Sequence, residues 1–156
     1  MDPYEVYTDG SCANNGKPTA KASWAFYVVE TPGLSKAGRI PAHEPQTNNR
    51  GELTAIREAL RFCKREGIAR PVVVYSDSQY SIHCVTKWLS GWKRNGWMTA
   101  AKKPVLNRDL IEEIDTLRDD FFAGVTFVHV PAHTGKQDTH SVFNDRVDKL
   151  AVAALA

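Results

Sequence analysis

The sequence predicts an α/β fold of five strands, three of them hairpin-linked at the start and two alternating with helices. Three observations predict it. Period-2 alternation broken by turn signals fills the chain from Tyr4 to Ala42. At Asn48 the apolar period becomes helical, and beyond it short apolar runs alternate with amphipathic stretches, the pattern of strand–helix–strand crossovers. Two strand ends also repeat one another, Val6-Tyr7-Thr8-Asp9 and Val74-Tyr75-Ser76-Asp77.

The elements follow in order. Tyr4-Glu5-Val6-Tyr7-Thr8 is rich in β-formers and stops at the turn signal Asp9-Gly10-Ser11. Residues 22–29 form a second strand and residues 38–42 a shorter third, with Thr31-Pro32-Gly33 turning between them. With Asn48 or Asn49 as cap, Leu53, Ile56, Leu60 and Cys63 share one helical face, Glu52 lies in the first turn, and Gly67 follows as C′. Residues 71–76 are almost continuously apolar, as in a strand covered on both faces. Residues 79–88 read as helical, and another helix runs from Asn107 as cap through Leu110, Ile111, Ile114, Leu117 and Phe121. Residues 125–130 give the fifth strand and residues 131–141 an irregular polar loop, after which Phe143, Val147, Leu150, Ala151 and Ala154 mark a last helix. There is no internal repeat and no linker, so one domain over residues 1–156 is expected, with no room for an accessory module before Tyr4.

Composition narrows the function classes. With 156 residues, 42% hydrophobic and 24% charged, the chain is an ordinary globular one, which excludes collagen-like, disordered and disulfide-scaffold proteins. No apolar run approaches the roughly 20 residues that span a bilayer. The opening MDPYEVYTDGS lacks a basic stretch followed by an apolar one, so no secretory leader is expected. Cys12, Cys63 and Cys84 are odd in number and widely spaced, which reads as free thiols in a reducing, cytoplasmic compartment. The net charge of +2 hides a division: residues 78–108 carry six Lys or Arg and no acid, leaving 14 basic against 18 acidic residues elsewhere. A polyanion would meet one basic segment on a mildly acidic body.

If the first and fourth strands are parallel neighbours, Asp9 and Asp77 lie about 5 Å apart at the carboxyl edge of the sheet, where open α/β sheets place ligands. Two carboxylates across that gap repel unless a cation lies between them, so a hard divalent metal with oxygen ligands is expected, Mg²⁺ first. Each acid also has a plain reading. An Asp after a strand is commonly a turn former or cap, and a first-turn Glu52 is favoured by the helix dipole. Asp145 and Asp148, near the start of the last helix, share that reading.

The combination says more than its members. YTDGSC with Asp9, TNNRGEL with Glu52, YSDSQY with Asp77 and NDRVDKLA with Asp148 resemble, in order and spacing, the four motifs of the type 1 ribonuclease H family. The likeness covers almost the entire chain. It implies a ribonuclease H-like fold: a five-stranded mixed sheet, three antiparallel strands then parallel ones, flanked by helices and carrying a basic handle. It also implies an endonuclease that cuts the RNA strand of an RNA–DNA hybrid with two Mg²⁺ ions, or Mn²⁺ in their place, leaving 5′-phosphate and 3′-hydroxyl ends. The residues carried over as catalytic metal ligands are Asp9, bridging both ions, Glu52 and Asp77 at one site, and Asp148 at the other. Asp145 stands at a variable acidic position and is left as a surface or capping residue. His133 in Val-Pro-Ala-His-Thr-Gly matches the family's loop histidine, which assists proton transfer or product departure. The stretch Lys136-Gln137-Asp138-Thr139-His140-Ser141 makes that connection longer than in many relatives, and His140 is an alternative for the role.

Residues 78–108 also hold Trp88, Trp92 and Trp97, interleaved with Lys87, Lys93, Arg94, Lys102 and Lys103. Aromatic faces and phosphate-seeking cations are what a nucleic-acid groove needs. The segment resembles the family's handle, with Trp92 in the DNA channel and Tyr80, Lys93, Arg94 and Trp97 among the substrate contacts. By the same resemblance Asn15, Asn48, Asn49 and the Gly10-Ser11-Cys12 backbone meet the RNA strand, whose 2′-hydroxyls distinguish it from DNA. Thr47 with Asn107 would form a pocket for a DNA phosphate, in which Pro45 stands where some relatives have arginine. Against these readings, Asn48 and Asn107 serve equally as caps, Trp88 as core and the lysines as a solvated face.

Three other functions compete: a hybrid-binding module without activity, another nuclease of the superfamily such as an integrase or resolvase, and a reverse-transcriptase-associated domain. The first would lack an acidic ligand, the TNNRGEL and GWKRNGW motifs disfavour the second, and the intact handle disfavours the third. A monomer acting without a protein partner or membrane is expected.

Overall fold

The computed structural model describes residues 2–132 and 137–156. Strands β1 (Tyr4–Ala13), β2 (Lys21–Val28) and β3 (Lys36–Arg39) form an antiparallel meander, and β4 (Val72–Ser76) and β5 (Val125–His129) add in parallel on the other side of β1. The order is β3-β2-β1-β4-β5, the mixed five-stranded sheet that was expected. Helices α1 (Asn48–Arg65), α2 (Gln79–Val85), α3 (Leu89–Asn95), α4 (Arg108–Arg118) and α5 (Thr139–Ala153) cover it. Among the described residues no helix is long and apolar enough to cross a membrane.

Alternation along the strands divides the core in two. Tyr4, Val6, Phe26, Val28, Val72 and Val74 pack beneath Leu53, Ile56 and Leu60 of α1 and Leu110, Ile111 and Ile114 of α4. Tyr7, Ala25, Tyr27 and Tyr75 face the other way, beneath Val147 and Ala151 of α5. Fully burying an aliphatic side chain contributes about 1.5–3 kcal/mol, so the first layer carries most of the stability. The near-continuous apolar run in β4 is explained by this two-sided covering.

Several boundaries differ from the sequence reading. Asp9-Gly10-Ser11 is not a turn: β1 runs through it because β2 pairs with it as far as Ala13↔Lys21. The reversal comes later, where Asn14 and Gly16 take positive φ (56° and 84°). The third strand lies earlier than expected, at Lys36–Arg39, after a 3₁₀ turn at Pro32–Leu34. Thr47, not Asn48 or Asn49, caps α1: its backbone is extended and its Oγ1 accepts the Arg50 N–H at 3.1 Å. The other end closes as expected on Gly67 (φ 66°), whose N–H donates to Lys64 O while Ile68 N–H donates to Cys63 O. The helix expected over residues 79–88 breaks after Val85, where Thr86 turns its hydroxyl back to Ile82 O, and restarts as α3. Asn107 precedes α4 in the left-handed region (φ 63°) and makes no side-chain cap. α4 ends at Arg118, short of Phe121. α5 begins inside the expected loop, because the Asp138 carboxylate accepts the Ser141 N–H at 3.0 Å and caps it.

Candidate active site

The register of β1 with β4 pairs Thr8 with Ser76, so the next residues, Asp9 and Asp77, stand side by side at the carboxyl edge of the parallel pair. Glu52 arrives from the other direction. Strand β1 and helix α1 approach so closely at Gly10 and Gly51 that a Cβ on Gly10 would lie 2.3 Å from Glu52 N, and one on Gly51 2.4 Å from Ser23 O. Glycine at both positions therefore lets the start of α1 rest on the strand at the residue immediately before Glu52, which brings Glu52 to the acids. As a result Asp9, Glu52 and Asp77 each offer a carboxylate oxygen, and these oxygens all lie within 4.8 Å of one another. Asp148, on α5, lies close to Asp9 and Glu52. The structure thus brings together three of the acids singled out in the sequence, drawn from β1, α1 and the end of β4, with Asp148 of α5 nearby.

Their environment is hostile to bare charge. Asp9 is 3% exposed and Glu52 8%. Burial, then the charges of Glu52 and Asp77, pushes Asp9 far above the ordinary carboxylate range; burial, then the charge of Asp77, raises Glu52. The compensation is small: Asp9 Oδ1 accepts the Gly10 N–H at 3.0 Å, and the nearness of Asp9 and of the Gly10 backbone partly offsets the rise at Glu52. Among the described residues, buried Glu52 Oε2 has no hydrogen-bond partner, nor has Oδ1 of buried Asn144. Asn144 is the member of this cluster that the sequence reading missed; its Nδ2 lies 3.4 Å from Asp77 Oδ2. Its only sequence signal is its place in NDRVDKLA, four residues before Asp148 and hence on the same face of α5. Clustered carboxylates with unsatisfied buried oxygens suit a hard divalent cation with oxygen ligands.

The sequence matches the RNase H family pattern over residues 1–156. The chain belongs to the RNase H family. It is 40% identical over 147 residues to a ribonuclease H of Thermosynechococcus vestitus, covering 94% of this chain and 84% of that protein. To mouse ribonuclease H1 it is 36% identical over 146 residues, and there it spans 48% of the relative's length. Its fold superposes on a foamy viral protease–reverse transcriptase, solved in complex with an RNA/DNA hybrid, with a TM-score of 0.76 and 25% identity over 99% of this chain and 21% of that one.

The polar residues that the family resemblance singled out meet in a second place, at the start of α1. Asn15, Thr47, Asn48, Asn49 and Asn107 line one cleft of about 700 Å³, together with Pro45. Asn15 Oδ1 accepts the Asn48 N–H at 3.2 Å, tying the β1–β2 turn to the helix start. Behind the cleft lies a cluster the sequence did not reveal, in which buried Arg50 is held by Glu44 and Asp109. On the handle, Trp88, Trp92 and Trp97 form a row with ring centroids 5.7 and 6.1 Å apart. Trp92 is half-buried; Trp97 is buried in the main core, with Arg108 over its ring at 5.0 Å, and offers little surface. Lys93 is ion-paired with Asp115, Arg94 is exposed, and half-buried Tyr80 packs edge-on against Trp88. His133 lies outside the described residues. His140 sits in the first turn of α5 with Nδ1 hydrogen-bonded to the Tyr7 hydroxyl and its ring against Tyr75, so its imidazole is committed to the fold.

Proposed function

We propose that the chain hydrolyses the RNA strand of RNA–DNA hybrids at the edge where β1 and β4 end, with Asp9, Glu52, Asp77 and Asp148 holding two Mg²⁺ ions and the protein acting as a monomer. The observation that carries the reading is the meeting of three carboxylates within 4.8 Å, one of them with a buried, unpartnered oxygen. When bound, two divalent cations supply water activation at neutral pH and stabilise charge on the departing 3′ oxygen, leaving 5′-phosphate and 3′-hydroxyl ends.

The chain's own groups do the rest. Asp9, central and buried, would serve both ions, with Glu52 and Asp77 holding one and Asp148 the other. Asn144 holds the Asp77 carboxylate toward the cluster from α5. The low dielectric around Asp9 and Glu52 keeps these acids protonated until cations displace the protons. Asn15, Asn48 and Asn49 present amides to the RNA strand, while Thr47 and Asn107 take a DNA phosphate in their cleft. Trp92, Lys93 and Arg94 lie along the DNA strand. His133 assists the departure of proton or product.

One assay tests the reading: the same end-labelled RNA presented as hybrid, duplex RNA and single strand, with Mg²⁺ and with EDTA. Cleavage confined to the hybrid and to Mg²⁺ is expected. An intact hybrid, or duplex RNA cut equally well, would overturn it.

A further inference from the structure

Arg50 is 5% exposed, yet it lies at the back of the cleft where a phosphate is proposed to sit. Its guanidinium has five N–H donors, and all five are engaged. Nε and Nη2 donate to Glu44 Oε1 at 3.0 and 2.6 Å, and Nη1 and Nη2 donate to the two oxygens of Asp109, both at 2.7 Å. The fifth reaches Asn107 Oδ1 at 3.5 Å. One buried cation therefore faces two carboxylates, and neither charge nor a donor is left for a ligand. The effect falls on a neighbour. Arg50 Nη1 fixes the Asn107 amide by its oxygen, so the NH₂ and its two donors point away from the guanidinium. Beside it, Thr47 Oγ1 accepts the backbone N–H of residue 50 as the helix cap, which leaves its hydroxyl proton to be donated outward whatever side chain stands at 50. Asn107 takes the left-handed backbone that asparagine tolerates, forgoing the usual cap to keep this orientation.

Resting on the hybrid as substrate, we propose that the Arg50 side chain is a positioning group: neutralised by Glu44 and Asp109, it aims the Asn107 amide into the cleft, beside the Thr47 hydroxyl that the helix cap sets, so that the cleft grips a DNA-strand phosphate through neutral donors. Pro45 at the rim is then no loss, because the grip does not use a cation.

The test is equilibrium binding in EDTA to hybrids in which one DNA-strand linkage at a time is a neutral methylphosphonate. In the wild type, one linkage should weaken binding about tenfold when neutralised, the weight of a hydrogen bond to a charged group. Arg50→Lys keeps the charge and loses the fork. It should reduce the penalty at that linkage below about twofold and leave the others unchanged, a pattern that general loosening of the fold would not produce. Asp109→Asn, at an exposed carboxylate and hence tolerated, should reduce the same penalty partway and serves if Arg50→Lys does not fold. A variant that retains the full penalty overturns the proposal, as does a wild type that cleaves hybrids but shows no such linkage. A wild type that neither binds nor cleaves hybrids overturns the proposed function itself.

Discussion

Replacing Gly10 with alanine should damage both stability and the acid cluster, for one geometric reason. The new Cβ would lie 2.3 Å from Glu52 N, 2.4 Å from the Gly51 carbonyl carbon and 2.9 Å from Gly51 Cα, where ordinary contact begins at 3.4 Å. All three neighbours are backbone, so no rotamer change relieves the clash. β1 is fixed between β2 and β4, and α1 must therefore retreat by roughly 1 Å, taking Glu52 with it. Overpacking of this kind costs about 1–3 kcal/mol, a fall in Tm of roughly 2–12 °C for a chain of this size. A displacement of about 1 Å within a reacting constellation costs on the order of 100-fold in rate. Thermal unfolding in EDTA and hybrid cleavage in Mg²⁺ measure the two effects separately. Gly33→Ala, with nothing within 4 Å of the new carbon, is the matched control. Gly10→Ala melting within about 1 °C of the wild type and cleaving at full rate would refute the close-approach argument.

Other expectations follow from the same site and its surroundings. Asp9→Asn or Asp77→Asn should lower hybrid cleavage by more than the roughly 100-fold that loss of a supporting residue costs. Because Asp9 and Glu52 are raised in the metal-free fold, the native state holds protons that the unfolded chain releases, and stability falls as pH rises above about 4. Melting in EDTA should be lower at pH 8 than at pH 5, while Mg²⁺ at 100 times its Kd should restore about 2.7 kcal/mol, or roughly 5–10 °C. Asp109 is shifted the other way, below its ordinary 3.8, chiefly by its hydrogen bond to Arg50. Its stabilisation is present above about pH 4 and lost as pH falls through the depressed value; Asp109→Asn should cost only about 0.2–1 kcal/mol at pH 7, since the carboxylate is 67% exposed, and progressively less as pH falls below about 4. If the handle and cleft neutralise about four phosphates, log K for the hybrid should fall against log salt with a slope near −3, and a flat response would remove the handle from the binding surface.

Legibility in the sequence followed locality. The apolar face of α1 could be read because Leu53, Ile56, Leu60 and Cys63 each answer to one period, and all are fully buried. The pairing of Asp9 with Asp77 was legible because two strand ends carried the same pattern. The Asp9-Gly10-Ser11 stretch misled because its composition is that of a turn, whereas pairing to β2 and the seat of α1 on Gly10 impose strand. Choosing Thr47 over Asn48 as cap depended on where the extended chain enters the helix, which all three polar residues permit equally well. Arg50 with Glu44 and Asp109 was invisible because its partners come from a loop and from α4, and no pattern along the chain joins them. Asn144 was hidden among ordinary helix-face residues.

The arrangement of α5 carries a consequence for how the molecule opens. It rests on the sheet through Val147 and Ala151, with Phe143 against the Tyr7 and Tyr27 rings and Ser23 Oγ donating to Ala151 O at 2.5 Å, and it bears both Asp148 and Asn144. In the proposed metal-bound enzyme, a cation shared by Asp148 and the strand aspartates would act as a clasp on this helix, so that detachment of α5 and release of metal would become one equilibrium. Chelation should then quicken amide exchange along α5 while β1 and β4 stay protected. In the proposed enzyme, loss of metal is a local unfolding event as well as a chemical one.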